Sequence, residues 1–179
     1  LAKQMELSTE HCERLYLTGL VHDVGKIGVS DAILKKPSAL TDEEFEEIKR
    51  HPDEGWAILH DLQQLAYVLP GVLYHHERYD GRGYPDGLAG EEIPLDGRIL
   101  AVADAYDAMT SDRAYRTGRS QEEAEAVLRD GAGTQWDPRV VEAFFCVSDQ
   151  IAQLRRDYRP SPKQQRKRSS DGASDIETD

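Results

Sequence analysis

The sequence predicts an all-α fold, and three observations carry that expectation. Helix-start signals recur along the chain at Ser8, Thr41 with Glu44, Ser120 with Glu123, and Asp137-Pro138. Apolar residues between these signals fall into helix-length segments. No stretch alternates with the period of a strand, and there is no internal repeat. Residues 1–7 read as the last turns of a helix. Ser8 caps the next one, which carries Leu15, Leu17, Leu20 and Val21 and ends at Gly25 and Gly28. Thr41 and Glu44 open a helix running through Ile48 and His51. Pro52 follows, and a further helix carries Trp56, Ile58 and Leu59. Residues 65–77 are mostly apolar and helical, with Pro70 in the first turn. Residues 78–97 are rich in glycine and contain Pro85 and Pro94, so they form a loop. Its length favours a functional role. Residues 99–110 make a buried helix with Asp104 and Asp107 on one face. Ser120 with Glu123 opens the next helix, and Asp137-Pro138 starts a last one expected to reach about Arg156. From Pro160 apolar residues almost vanish, and charge runs basic first and acidic last. The division expected is one domain over 1–157 and a disordered charged tail over 158–179.

A chain of 179 residues is long enough to bury a core, and 39% of it is hydrophobic. The mean hydropathy of -0.66 leaves part of the chain outside that core. The net charge of -12 argues against duplex nucleic-acid or membrane binding, which needs a basic face. It leaves an anionic substrate open, because metal ions reverse the local field. Cys12 and Cys146 stand far apart, with neither zinc spacing nor a disulfide framework, and fit a reduced cytoplasmic setting. No apolar run approaches the roughly 18–20 residues that a membrane-spanning helix needs.

The chemistry concentrates in His22-Asp23, His75-His76 and Asp104. His22-Asp23 at the end of an apolar helix fits either a capping arrangement or a ligand pair. Gly25, Lys26 and Gly28 favour the second, since they let the backbone turn sharply and bring an ammonium to the carboxylate. His75 and His76 differ by roughly 100° in direction if helical, and without a metal they repel when protonated. The ligand reading is therefore the stronger one there. Asp104 lies among Val102, Ala103 and Ala105, where a carboxylate is costly unless it is paired or bound to a cation. His51 is weak evidence alone, and His11 and His60 read as plain surface residues. Tyr84, set between Gly83 and Pro85, makes a rigid aromatic platform suited to stacking on a base, or else a mere turn. Arg113 and Arg116 each read as a solvated charge alone; three apart, they can act together on a phosphate. Together these residues make metal-dependent hydrolysis the leading class.

Three separated segments agree in order and content with one known family. HDVGK from His22, HHERYDGRGYPDGL from His75 and RILAVADAYDAMTSDRAYR from Arg98 resemble the HD-GYP domain, a branch of the HD phosphohydrolase superfamily. The resemblance implies an HD-domain helical bundle with two or three divalent ions, iron or manganese, acting as a cyclic di-GMP phosphodiesterase that yields pGpG and GMP in bacterial signalling. Carried over by motif, the ligands would be His22, Asp23, His51, His75, His76 and Asp104, with Asp23 bridging two ions. Lys26 would hold the scissile phosphate. Gly83, Tyr84, Pro85, Arg113 and Arg116 would contact the nucleotide. The resemblance also implies GGDEF-domain proteins as partners and, as an alternative, a weakly catalytic module that senses cyclic dinucleotides. A third possibility is an HD phosphohydrolase for another nucleotide, such as a mixed cyclic dinucleotide. Family members carry a further ligand on a helix upstream of the HD pair. Only 21 residues precede His22 here, and His11 is too close to substitute. The expectation is thus an HD-GYP domain without its first helix or its upstream receiver or sensor, and one ion held weakly.

Overall fold

The computed structural model describes residues 1–112 and 117–157. Every regular element among them is a helix; pairing of strand type is limited to the isolated bridges Asp80–Ala89 and Ala132–Trp136. The chain resolves into two compact units, Leu1–Val147 and a second beginning at Ser148.

The first seven residues form a single turn that closes as a helix end does. Leu7 N–H donates to Ala2 O, Glu6 N–H donates to Lys3 O, and Glu6 takes a left-handed φ of 59°. Helix α1 (Thr9–Val21) follows, with the Ser8 hydroxyl accepting from His11 N–H. Its buried face is Leu15 and Thr18, whereas Leu17 and Leu20 lie exposed. A 3₁₀ turn (Val24–Gly28) and the short α2 (Asp31–Leu34) lead to α3 (Asp42–Ile48), which opens on the expected Thr41/Glu44 capping box. His51 does not extend α3. It is the first residue of α4 (His51–Leu59), because Pro52 sets the first turn of a new helix. The α-helix expected over 65–77 is shorter: a 3₁₀ segment (Gln63–Val68) precedes α5 (Leu69–Tyr74), which has Pro70 in its first turn as expected and stops before His75. Helix α6 (Leu95–Thr110) begins earlier than expected, at the residue after Pro94.

Helix α7 (Gln121–Asp130) opens on the Ser120/Glu123 box, and α8 (Pro138–Phe145) on Asp137. The expectation that α8 runs on to Arg156 is corrected. It ends at Phe145: Cys146 N–H still donates to Glu142 O, but Val147 N–H turns back on Phe144 O, and α9 (Ser148–Asp157) is a separate helix. Arg113, Arg116 and the predicted tail over 158–179 lie outside the described residues.

Two packing features position the chemistry. Val68, Val72 and Val102 are fully buried, and each contributes about 1.5–3 kcal/mol relative to exposure. Val72 packs with Leu59 and Val68 between α4 and α5, with Val21 and Val24 against them. The 3₁₀ turn after Asp23 lies directly on α4: a Cβ on Gly25 would stand 1.9 Å from the His51 carbonyl O and 2.5 Å from Gly55 N. Only hydrogen fits there, so the two glycines let the backbone carrying Asp23 reach the backbone carrying His51. Gly25→Ala is expected to cost more than about 2 kcal/mol of stability, because backbone rather than a side-chain tip must yield. A urea-unfolding midpoint unchanged from wild type would refute this contact. On α6, Arg98 Nη1 reaches the buried Asp137 Oδ2 at 2.6 Å. That tie holds the helix bearing Asp104 to the start of α8.

Candidate metal centre

The structure draws the HD segment, the start of α4 and the end of α5 to one point. One donor atom each from Asp23, His51, His75 and His76 lie within 4.8 Å of one another. His22, the cap residue of α1, joins on one side: its Nε2 is 3.4 Å from Asp23 Oδ2 and 3.8 Å from Asp104 Oδ1 on α6. Every sequence-nominated ligand therefore belongs to one cluster. The two arginines fall outside the described residues.

Three of the imidazoles are oriented alike. His22 Nδ1 lies 2.7 Å from Gly19 O, His51 Nδ1 2.6 Å from Ile48 O, and His75 Nδ1 2.8 Å from Val72 O. A carbonyl only accepts, so Nδ1 carries a proton, and in a neutral ring so held Nε2 turns its lone pair inward. His60 makes the same contact with Ala57 O yet stacks flat on Trp56 at the surface, so local geometry alone marks no ligand. What sets the others apart is convergence. His51 Nε2 and His75 Nε2 face each other across 3.3 Å. Among the described residues, His22 Nε2 and Asp23 Oδ1 are buried atoms without a hydrogen-bond partner. A cation would satisfy both, and neutral imidazole with carboxylate is a donor set that divalent transition metals accept.

Asp23 faces two ways. Its Oδ1 lies 3.4 Å from His51 Nε2 and 3.8 Å from His75 Nε2; its Oδ2 faces His22 and accepts from Lys26 Nζ at 2.6 Å. The electrostatics follow from this crowding. Burial disfavours ionised Asp23, but His51, Lys26 and His22 outweigh it and hold the carboxyl far below its usual range. Burial, then the neighbouring imidazoles, push His75 down to about 4 and His76 to about 3, so both are neutral at pH 7. His22 goes the other way: burial lowers it, yet Asp104 and Asp23 raise it overall.

The loop after the second motif folds back over the cluster. Tyr84 stacks on His76 with ring centroids 4.9 Å apart, and its N–H donates to His76 O at 3.3 Å. Phe45 meets the Tyr84 ring edge-on at 6.5 Å, and Lys49 Nζ lies over both aromatic rings. Burial raises the Tyr84 hydroxyl pKa, so it stays protonated. Gly83 lies where a Cβ would stand 2.3 Å from Arg78 N, which leaves no room for a side chain. The Tyr84-Pro85 peptide is cis.

Sequence reasoning missed Phe45 and Lys49, because nothing in α3 signals a neighbour almost forty positions on. It also misplaced His11. That residue is half-buried, and its Nε2 lies 2.6 Å from Asp96 Oδ1, tying α1 to α6; a pairing across 85 positions leaves no local trace.

A family model described as an HD domain matches residues 1–140. The chain is 48% identical over 145 residues to a cyclic di-GMP phosphodiesterase of Pseudomonas aeruginosa, covering 80% of this chain and 35% of that protein. It is 43% identical over 155 residues to a cyclic di-GMP phosphodiesterase of Vibrio cholerae, with coverage of 83% and 32%. A 3'3'-cGAMP-specific phosphodiesterase of V. cholerae is 39% identical over 155 residues, with coverage of 86% and 36%. The chain thus spans about a third of the length of these relatives. The crystal structure of a V. cholerae cyclic GMP-AMP-specific phosphodiesterase superposes with a TM-score of 0.61 at 21% identity, covering 85% of this chain and 41% of that one, and shows the shared fold. No described helix is long and apolar enough to cross a membrane. With its motifs converging on one cluster and the family model spanning most of its length, the chain belongs to the HD-domain family, in the HD-GYP branch.

Proposed function

We propose that this chain is the catalytic part of a cytosolic phosphodiesterase that opens cyclic di-GMP to linear pGpG, and onward to GMP, using two or three divalent ions, iron or manganese. The observation that carries the reading is the two-sided placement of Asp23. One oxygen faces His51 and His75, and the other faces His22 and Lys26. A carboxylate so placed can serve two ion positions at once. His51, His75 and His76 would hold one ion, and His22 and Asp104 the other, with Asp23 shared. Bound ions supply an activated water at neutral pH and a positive field at the phosphoryl oxygens.

The protein's own residues do the rest. The carbonyl bonds at Nδ1 hold three imidazoles in register before substrate arrives, so little reorganisation is needed during reaction. Lys26, held at the rim by Asp23 and about one-third exposed, can donate to a phosphoryl oxygen as charge develops there. Tyr84 offers an aromatic face beside His76 on which a purine can stack. Arg113 and Arg116 would take the second phosphate. Fixing the ring in this way supplies part of the barrier reduction.

Incubation with cyclic di-GMP and Mn²⁺ or Fe²⁺, followed by chromatography, tests the proposal. Linear pGpG is the expected product, and 3'3'-cGAMP is expected to react more slowly. Binding without product would instead make the chain a cyclic-dinucleotide sensor or a partner of GGDEF proteins. Faster cleavage of the mixed dinucleotide would move the substrate reading to that ligand. Tyr84→Ala should raise KM about tenfold, in line with about 1–3 kcal/mol for a lost stacking contact. An unchanged KM would remove the platform role.

A further inference from the structure

Glu77 follows the two histidines directly and is used by none of the chemistry above. It is 3% exposed, unusual for a carboxylate, and no cationic side chain pairs with it among the contacts the structure shows. Instead Oε1 accepts two backbone N–H groups, from Asp86 at 2.8 Å and Gly87 at 2.9 Å. Oε2 is buried with no hydrogen-bond partner among the described residues. Burying a carboxylate for two main-chain bonds is costly unless those bonds hold something that matters.

What they hold is the return of the loop. Tyr84 N–H is tied to His76 O, and two residues later the chain is tied to Glu77 Oε1. Tyr84 and Pro85 sit between these two anchors, both of which arise from consecutive residues, His76 and Glu77. The close approach at Gly83 brings the loop backbone onto the same segment, within 2.5 Å of Glu77 Cα for an added Cβ. Tyr84 therefore cannot leave the His76 ring without breaking the Glu77 bonds or the His76 carbonyl bond.

We propose that Glu77 is a positioning residue: a buried clasp that closes the 83–87 turn and fixes the Tyr84 ring against His76, so that the nucleotide-stacking surface is registered to the ion cluster. It touches neither substrate nor ions and acts through the loop. This rests on the reading of Tyr84 as the stacking surface given above, and it predicts a particular pattern. Glu77→Ala, which removes the acceptor, should raise KM for cyclic di-GMP at least tenfold while kcat stays within about threefold. Glu77→Asp keeps the charge but falls one methylene short of the amides, and should behave as alanine does. Glu77→Gln keeps an oxygen at the right reach and should recover most of the affinity.

A second readout needs no turnover. Arg82 is exposed in the clasped loop. Trypsin should cut after it at least ten times faster in Glu77→Ala and Glu77→Asp than in wild type and Glu77→Gln. Mn²⁺ affinity should be alike in all four proteins. If Glu77→Ala does not fold, the aspartate and glutamine variants decide. Unchanged cleavage at Arg82 in the unclasped variants would overturn the proposal. So would a fall in kcat with unchanged KM, or a loss of Mn²⁺ binding, either of which would place Glu77 behind His76 rather than behind the loop. A wrong stacking reading shows differently: Tyr84→Ala would keep its KM while Arg82 cleavage still answered to Glu77.

Discussion

Asp23→Ala is expected to lower kcat/KM for cyclic di-GMP by more than a thousandfold while the helical circular dichroism spectrum stays that of wild type. The size follows from geometry. Asp23 turns one oxygen toward His51 and His75 and the other toward His22 and Lys26. On the proposed reading its loss removes the shared ligand, and it frees Lys26 from its hydrogen bond to Asp23 Oδ2. A thousandfold is about 4 kcal/mol of transition-state stabilisation, the size expected of a carboxylate that serves two ion positions as proposed. Survival of the fold follows from what Asp23 does not do. It stands at the start of the 24–28 turn but makes no side-chain capping bond there. Steady-state kinetics with Mn²⁺, with Asp23→Asn as an isosteric control, checks the effect. Turnover within tenfold of wild type in the alanine variant would end the bridging reading.

The second large effect is acid instability of the metal-free protein. Burial and mutual repulsion push His75 down to about 4 and His76 to about 3, from 6.5 in an unfolded chain. As pH falls through 6.5, unfolded molecules take up protons that folded ones refuse, so stability is full above 6.5 and falls toward pH 4. Two such protons give a slope of at most about 2.7 kcal/mol per pH unit. His22, raised in the fold, has its contribution fully in place below 6.5 and loses it only as pH rises, so it adds no slope in this window. Asp23, lowered in the fold, loses its contribution only below the ordinary carboxylate range. Against a total stability of about 5–15 kcal/mol, a loss of several kcal/mol by pH 4.5 is large. Urea unfolding in chelator at pH 7, 6, 5 and 4.5 measures it. His76→Asn should flatten the curve, and a midpoint constant across the range in wild type would show that the imidazoles are not buried as described. Saturating Mn²⁺ should steepen the dependence, because ligation also demands neutral imidazole.

Local chemistry made much of this legible beforehand. The capping boxes at Thr41 and Ser120 and the proline at the start of α8 are satisfied within a few residues, so sequence determines them. The HD, HHE and GYP segments likewise announce their donors, since adjacent imidazoles and an aspartate among alanines make little sense as packing. Errors arose where a local rule had several outcomes. His51 could end one helix or start the next, and Pro52 put it in the second. The run after Asp137 had no proline or glycine to stop it, yet the backbone turns at Cys146.

The sequence by itself determined that this chain is helical and which histidines and carboxylates it brings to the cluster. Only the tertiary structure decided which oxygen of Asp23 faces which imidazoles, that His11 reaches Asp96, and that Glu77 holds down the loop carrying Tyr84. The physical reason is range. Caps and motifs act through bonds spanning three or four residues, whereas side-chain direction at a shared site depends on backbones that meet only after the chain has folded. Here that meeting turns on the missing side chains of Gly25 and Gly55, which let α4 lie on the turn after Asp23.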